Sequence, residues 1–515
     1  MQTQLTRRTF LERLGVVGGS SLVMAAMQSW DLMAGQAGTR PALSGRPERR
    51  KVVVLGAGTS GLVLGYELGK LGYDFRILEA RDRVGGLAWT VRRGSTHTEI
   101  GGEKQVCTFD NGLYVNVGPW RIPYIHTGIL NYCRELGVPV EAFANYAEEN
   151  YCYFENEAAG PLAGKRIRRR QVKADLAGHV NELLVKALDQ HKLDLALAPE
   201  DMARLVEFLV QSGFLDPSDH TYKAFAVRGP GDPYPLSAIL RPEFTRGISS
   251  IIPAGDVATL TMLQPVGGMD QIAKGFERAI EPSRITLNAD VQSVHQDDHG
   301  VQVVYVDTKS GHRKELHADY VVLCLPMTII AKLDVNLSPD IMSAVRAIRH
   351  SDSAKVGLSM RRRFWEEDDQ IFGGHLYSDL PLGEFSYPSN DYFTKNGVLL
   401  GLYVNGPLGN LGEQPVAARI EHVLTHASKV HPQIRKEFES AYAVWWRRVK
   451  YSEGGYAAGS AMARRGVTAR MDNRLLIGSA ATTPHSQPDW QEGAVSAGWQ
   501  ALTTLHERAM RGTAV

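Results

Sequence analysis

Lys51-Val-Val-Val-Leu55-Gly56-Ala-Gly58-Thr-Ser60-Gly61, continued by Phe75-Arg-Ile-Leu-Glu79-Ala80-Arg81-Asp-Arg83-Val-Gly85-Gly86-Leu87, is the stretch that decides how this chain folds. A short apolar run ends in glycine, Leu64, Leu68 and Leu71 follow at helical spacing, and a second apolar run closes on Glu79. The pattern predicts strand, turn, helix, strand. Gly56 permits the tight turn, Gly58 lets backbone approach a pyrophosphate, and Gly61 lets helix and strand pack closely. The N–H groups at the helix N-terminus face the anion. Glu79, eighteen residues beyond Gly61, is placed to accept hydrogen bonds from ribose hydroxyls, and its charge disfavours a 2′-phosphate. The unit therefore predicts a dinucleotide, with NADP disfavoured and NAD and FAD both open.

A second glycine pair, Gly85-Gly86, lies six residues after the acid and brings another backbone stretch to the phosphates. That pattern resembles flavin proteins of the amine oxidase family more than nicotinamide dehydrogenases.

The 515 residues suffice for two or three domains, and 43% hydrophobic with 22% charged residues is ordinary globular composition. A net charge of +1 gives no pull towards nucleic acid or anionic membrane. The basic run Lys165-Arg-Ile-Arg-Arg-Arg170 reads as a solvated face. Cys107, Cys133, Cys152 and Cys324 lack metal-ligand spacing and read as buried thiols, with a disulfide among the first three left open; no metal is expected.

At the N-terminus, Arg7-Arg8 precedes a short, glycine-bearing apolar stretch from Leu14 to Met27, which matches a twin-arginine export signal and is too short for a stable membrane span. Export to the periplasm or beyond is expected. Residues 1–48 are read as signal and linker. Further along, Gly118-Pro119-Trp120-Arg121 sets an arginine beside a rigid turn, and its planar fork suits a carboxylate. From about 129 to 240 the pattern is mostly helical and predicts an insert, the place to look for an apolar homo-oligomer surface. Ile285 to Val294 and Val301 to Val306 read as paired strands, Tyr320 to Pro326 as a buried parallel strand, and Arg474 to Ala481 as another, leading into a helix from Gln491.

Together these blocks resemble the flavin amine oxidase family, and within it bacterial L-amino acid oxidases. The resemblance rests on the opening unit, Gly118-Pro-Trp-Arg-Ile-Pro-Tyr-Ile-His126, Gly267-Gly-Met-Asp270, Lys355, Tyr403, Gly454-Gly-Tyr-Ala457 and the closing strand, turn and helix. It implies an α/β fold: a Rossmann-like FAD-binding domain (49–115, 260–345 and 450–515) with a discontinuous α+β substrate domain (116–259 and 346–449) carrying the helical insert. It implies oxidation of an L-amino acid by oxygen, giving a 2-oxo acid, ammonia and hydrogen peroxide. Rivals are an amide-forming amino acid monooxygenase, an amine oxidase and a flavin-binding protein without turnover.

By the same resemblance, Arg121 would clamp the substrate carboxylate with Tyr403 as hydroxyl partner, Lys355 would hold a water near the flavin, and Trp490 would wall the substrate. Cofactor contacts would come from Gly56, Gly58, Ser60, Gly61, Glu79, Ala80, Arg81, Gly85, Gly86 and Leu87, from Gly118, Pro119, Trp120 and Arg121, from Val291, and from Gly478, Ser479, Trp490 and Ala494. Leu87 and Ser479 depart from the basic and acidic residues usual in relatives, with Arg81 or Arg83 as substitutes for the first. No cysteine follows Cys324, so FAD is expected to be non-covalent. Trp120, Trp445, Trp446 and Trp490 predict an aromatic pocket, and Asp489 leaves room for basic substrates. A buried Arg121 with no anionic partner in the protein would argue against simple amines.

Overall fold

Five short parallel strands stand side by side in the order Ile285–Thr286, Asp74–Leu78, Lys51–Leu55, Tyr320–Leu323 and Leu475–Ile477. They belong to a computed structural model that describes residues 40–45, 50–190, 198–224, 228–244, 261–458, 471–483 and 490–511. The twin-arginine segment and Asp489 lie outside the described residues.

The central strand is apolar from Val52 to Leu55, where both faces are covered, and exposed only at Lys51. Val52 and Val54 pack with Leu62, Leu64 and Leu502 of the helices Thr59–Lys70 and Gln491–Arg511. Val53 and Leu55 pack instead with Val294, Val303 and Tyr305 of a four-stranded sheet. Each such buried side chain contributes roughly 1.5–3 kcal/mol, so the strands are committed to the core and the glycine turns at their ends are left to serve a ligand. Ala289–Gln296 pairs antiparallel with Val301–Asp307 as the alternation predicts, while Ile285–Thr286 splits off to join the parallel sheet.

A seven-stranded sheet forms the second layer system, in the order Ile167–Arg168, Tyr151–Tyr153, His375–Ser378, Phe385–Ser386, Gly397–Val404, Ala354–Met360, Phe438–Trp445. Its register sets Lys355 directly opposite Tyr403. A three-stranded sheet of Ile122–Pro123, Thr261–Pro265 and Val140–Ala144 anchors the chain just past Arg121.

The stretch 129–240 is less helical than its pattern predicts. Helix Thr127–Glu135 is followed by the strands Val140–Ala144, Tyr151–Tyr153 and Ile167–Arg168, and the long helices come only at Arg169–Asp189 and Pro199–Gly213. Tyr151, Cys152 and Tyr153 are buried between strand neighbours, so sheet packing overrides the local pattern. The basic run is only partly a solvated face: Lys165 and Arg166 are exposed, and the arginines that follow are not. Arg169 is buried and donates to Glu148 at 2.9 Å, and the Arg168 guanidinium sits 3.9 Å from the Tyr151 ring centroid. All four cysteines are free thiols.

Candidate active site

Two cavities meet the sequence-predicted residues. The first, of about 1290 Å³, lies over the C-terminal ends of the parallel strands and is lined by Gly56, Gly58, Ser60, Glu79, Ala80, Arg81, Gly85, Gly86, Leu87, Pro119, Val291, Ser479, Trp490 and Ala494. Gly56 has φ +98°, which only glycine adopts without strain, and a Cβ on Gly58 would meet nothing within 4 Å. Gly85 N–H donates to Ala57 O at 2.8 Å, so the two glycine loops are stitched together. Among the described residues no side chain caps helix Thr59–Lys70, which leaves its first N–H groups to a ligand. Glu79 is buried, and its carboxylate accepts from Ala57 N at 2.8 Å and Arg81 N at 3.0 Å. Its remaining lone pairs stay available to ribose.

Several expected contacts stand behind this wall. A Cβ on Gly61 would fall 2.0 Å from Gly56 O, and one on Gly118 would fall 1.8 Å from Leu87 O. Both glycines thus close the packing around the cavity. Gly478 accepts from Ser60 Oγ. Arg81 lines the cavity while donating to Lys450 O at 2.7 Å and Ser452 Oγ at 2.8 Å; Arg83 is turned aside, donating to Gly86 O at 3.0 Å. Gln491, which the sequence reading missed, opens the C-terminal helix. It is 9% exposed and lines the cavity, and neither side-chain amide atom has a hydrogen-bond partner among the described residues. A buried polar group in that state costs stability until a ligand satisfies it.

Arg121 lies on a second cavity, of about 1300 Å³, shared with His375, Glu384, Tyr377, Asp379 and Glu243. Trp120, Lys355 and Tyr403 join the cluster from the side: the Arg121 and Lys355 cations each lie 4.7 Å from the Trp120 ring centroid, and Lys355 Nζ lies 4.3 Å from that of Tyr403. Lys355 Nζ donates to Gly118 O at 2.6 Å. Its pKa falls well below the ordinary lysine value, because burial and Arg121 outweigh the pull of Glu384. Burial, with Glu384 nearby, pushes the Tyr403 hydroxyl up to about 12.

Glu384 and His375 were invisible in the sequence, one an acid in a Pro-Gly turn and the other a lone strand histidine. Glu384 Oε2 accepts from Arg121 Nη1 at 3.3 Å, and its backbone N–H donates to Tyr403 O at 2.9 Å. Burial would raise its pKa, but Arg121 holds it below the ordinary value. Ser386 Oγ donates to Gly374 O at 3.0 Å, so His375 Nδ1–H donates to Ser386 Oγ at 3.1 Å. Its Nε2 lies 3.2 Å from Arg121 Nη1, a donor, and 3.1 Å from Asn145 Oδ1, an acceptor. Burial and Arg121 lower the His375 pKa to about 3, which keeps the ring neutral.

Three expectations are corrected here. Arg121 and Trp490 line different cavities. Trp445 and Trp446 are core residues, donating to Asp352 Oδ1 at 2.7 Å and Val117 O at 2.8 Å, so the four tryptophans do not form one pocket. Arg121 has an internal counter-ion in Glu384, so its charge does not by itself demand an anionic substrate.

Glycine cradle, uncapped helix and ribose-facing acid define the class: a protein whose parallel sheet holds a dinucleotide at the strand ends. The chain belongs to the flavin containing amine oxidoreductase family, which matches residues 59–502. It is 27% identical over 425 residues to an L-amino-acid oxidase of Pseudechis australis, covering 80% of this chain and 77% of that one. With an L-amino-acid oxidase of Gloydius blomhoffii it shares 25% over 491 residues, 91% of each chain. Among solved structures, cyclohexylamine oxidase from Brevibacterium oxydans superposes with TM-score 0.60 at 15% identity over 90% of this chain and 100% of the other. Putrescine oxidase bound to putrescine gives 0.57 at 19% over 88% and 98%. The cofactor is accordingly a flavin, and the residues present fit FAD: Glu79 and the glycine loops suit its nucleotide half, and the orphaned Gln491 amide offers a donor and an acceptor on the same cavity.

Proposed function

We propose that this chain is an FAD-dependent L-amino acid oxidase, converting an L-amino acid, oxygen and water to a 2-oxo acid, ammonia and hydrogen peroxide. The observation that carries the reading is Arg121. Its side chain is 8% exposed on a cavity wall, and its Nε–H has no partner among the described residues. A substrate α-carboxylate would satisfy that donor, and His375 and Trp120 hold the guanidinium in place to meet it. The names borne by the sequence relatives point the same way.

Bound FAD supplies the two-electron acceptor and the route to oxygen. In this reading Arg121 orients the α-carbon through the carboxylate, Tyr403 adds a hydroxyl contact, and Lys355, whose charged form burial disfavours, holds a water. Trp490 walls the flavin side. We further assign FAD binding to 49–115, 260–345 and 450–515, substrate binding to 116–259 and 346–449, non-covalent attachment of the flavin, and export by the twin-arginine route.

A second reading has one observation in its favour: Glu384 neutralises Arg121 internally, which fits oxidation of an amine lacking a carboxylate. Peroxide assays of the holoenzyme on a panel of L-amino acids and simple amines, with product masses, decide between them. Peroxide with 2-oxo acid from amino acids is expected. Turnover of simple amines alone, an amide product, or flavin that no amino acid bleaches would each overturn the proposal.

A further inference from the structure

The cavity beyond Arg121 carries more negative charge than an ordinary amino acid needs. Among the described residues that line it, Glu243, Asp379 and Glu384 face the one cation Arg121, with His375 neutral. Two of these carboxylates are already answered. Asp379 accepts the backbone N–H groups of Glu155 at 2.9 Å and Asn156 at 2.8 Å, and Glu384 pairs with Arg121. Glu243 is different: its Oε2 is shielded from solvent and has no hydrogen-bond partner among the described residues. The Arg121 Nε–H and the Tyr377 hydroxyl, on the same cavity, are likewise unpartnered among the described residues.

An unpaired carboxylate oxygen away from water is costly, and so is an unpaired guanidinium N–H. A single ligand answers both when it carries a carboxylate at one end and a cation at the other. We propose that the substrates are L-amino acids with a cationic side chain, the α-carboxylate held by Arg121 and the terminal ammonium or guanidinium by Glu243. This rests on the amino acid oxidase reading and names its substrate class. A neutral side chain of equal length would leave Glu243 unpaired, and an acidic one would oppose it. Sites built around a buried polar group discriminate strongly against analogues that leave it unmatched. The aromatic rings on the same wall, Tyr146, Phe154 and Tyr377, would flank the aliphatic stem.

The test measures kcat/KM of the holoenzyme for L-lysine, L-ornithine and L-arginine against the neutral shape analogues L-norleucine and L-citrulline, with L-phenylalanine and cadaverine alongside. Lysine is expected to exceed norleucine, and arginine citrulline, at least tenfold. Glu243→Gln should remove that advantage, bringing the lysine to norleucine ratio close to one, and an unchanged urea midpoint and flavin absorbance show that the variant is folded. Glu243→Asp, which keeps the charge, should retain the lysine preference. Norleucine or phenylalanine matching lysine in the unmodified enzyme would overturn the cationic class and leave the oxidase reading standing. An unchanged lysine preference in Glu243→Gln would overturn the role of Glu243. Cadaverine oxidised with no amino acid turned over would instead overturn the oxidase reading itself.

Discussion

Arg121 sits where three influences meet: a neutral histidine beside it, an acid that pairs with it and a tryptophan face beneath it. Replacing it with methionine removes the donor set but keeps the bulk. We expect Arg121→Met to lower kcat/KM for amino acids roughly a hundredfold, the ~3 kcal/mol typical of a truncated charged contact, mostly through KM. Unchanged steady-state kinetics on the preferred amino acid would remove the clamp assignment. His375 makes a separate prediction about pH. Its folded pKa of about 3 lies below the ordinary 6.5, so between those values the unfolded chain binds a proton that the folded chain refuses. Its contribution is therefore complete above 6.5 and is lost as pH falls towards 3, at ~1.4 kcal/mol per pH unit for the one proton. Urea unfolding of the protein and of His375→Gln at pH 7, 5.5 and 4.5 checks this; the variant should show the shallower loss, and parallel slopes would contradict the buried neutral ring.

At the scale of elements, one helix holds another. The carboxylate of Glu492, near the start of helix Gln491–Arg511, accepts the N–H groups of Gly128 and Ile129 at 2.8 Å each, capping helix Thr127–Glu135. Gly128 is needed for this approach, because a Cβ there would lie 2.7 Å from Glu492 Oε1. The capped helix begins six residues after Arg121, so the cap ties the candidate clamp to the helix that starts beside the flavin cavity. Glu492→Ala should cost about 1–3 kcal/mol by leaving two buried donors unmatched, measured as a lower urea midpoint at unchanged m-value. A midpoint within error of the parent would show that water replaces the cap. Nothing in the Pro-Asp-Trp-Gln-Glu sequence signals this partnership. A glutamate in a first helical turn reads as dipole compensation for its own helix, and only the crossing of the two helices redirects it.

Across the whole molecule, the cavity over the parallel strands is built from chain segments as far apart as Gly56 and Ala494, with Asp290, Cys324 and Tyr456 between them. A ligand that joins such distant pieces stabilises them together. At a free flavin concentration a thousand times its dissociation constant the gain is ~4 kcal/mol, which should appear as a higher Tm for holoenzyme than for apoenzyme. The only cysteine on the cavity wall is Cys324, and burial pushes its thiol up to about 12, where little thiolate exists to attack a ring. Precipitation with acid should release all the flavin into the supernatant, and yellow protein after washing would contradict non-covalent attachment. Among the described residues no helix is long and apolar enough to cross a membrane.

The sequence by itself determined the cradle. Gly56, Gly58, Gly61, Gly85 and Gly86 are fixed by backbone requirements that act within a few residues, and the apolar strands at 51–55, 320–323 and 475–477 follow from burial on both faces. Such constraints are local, so spacing alone records them. Tertiary structure decided the substrate side. Lys355 meets Tyr403 only through strand register, and Glu384 reaches Arg121 only because its turn pairs with Tyr403. The orphaned carboxylate of Glu243 becomes visible only once a cavity wall surrounds it. Charge pairing and desolvation depend on distances of a few ångströms between residues up to hundreds of positions apart. Spacing along a chain carries no record of that, and the fold alone supplies it.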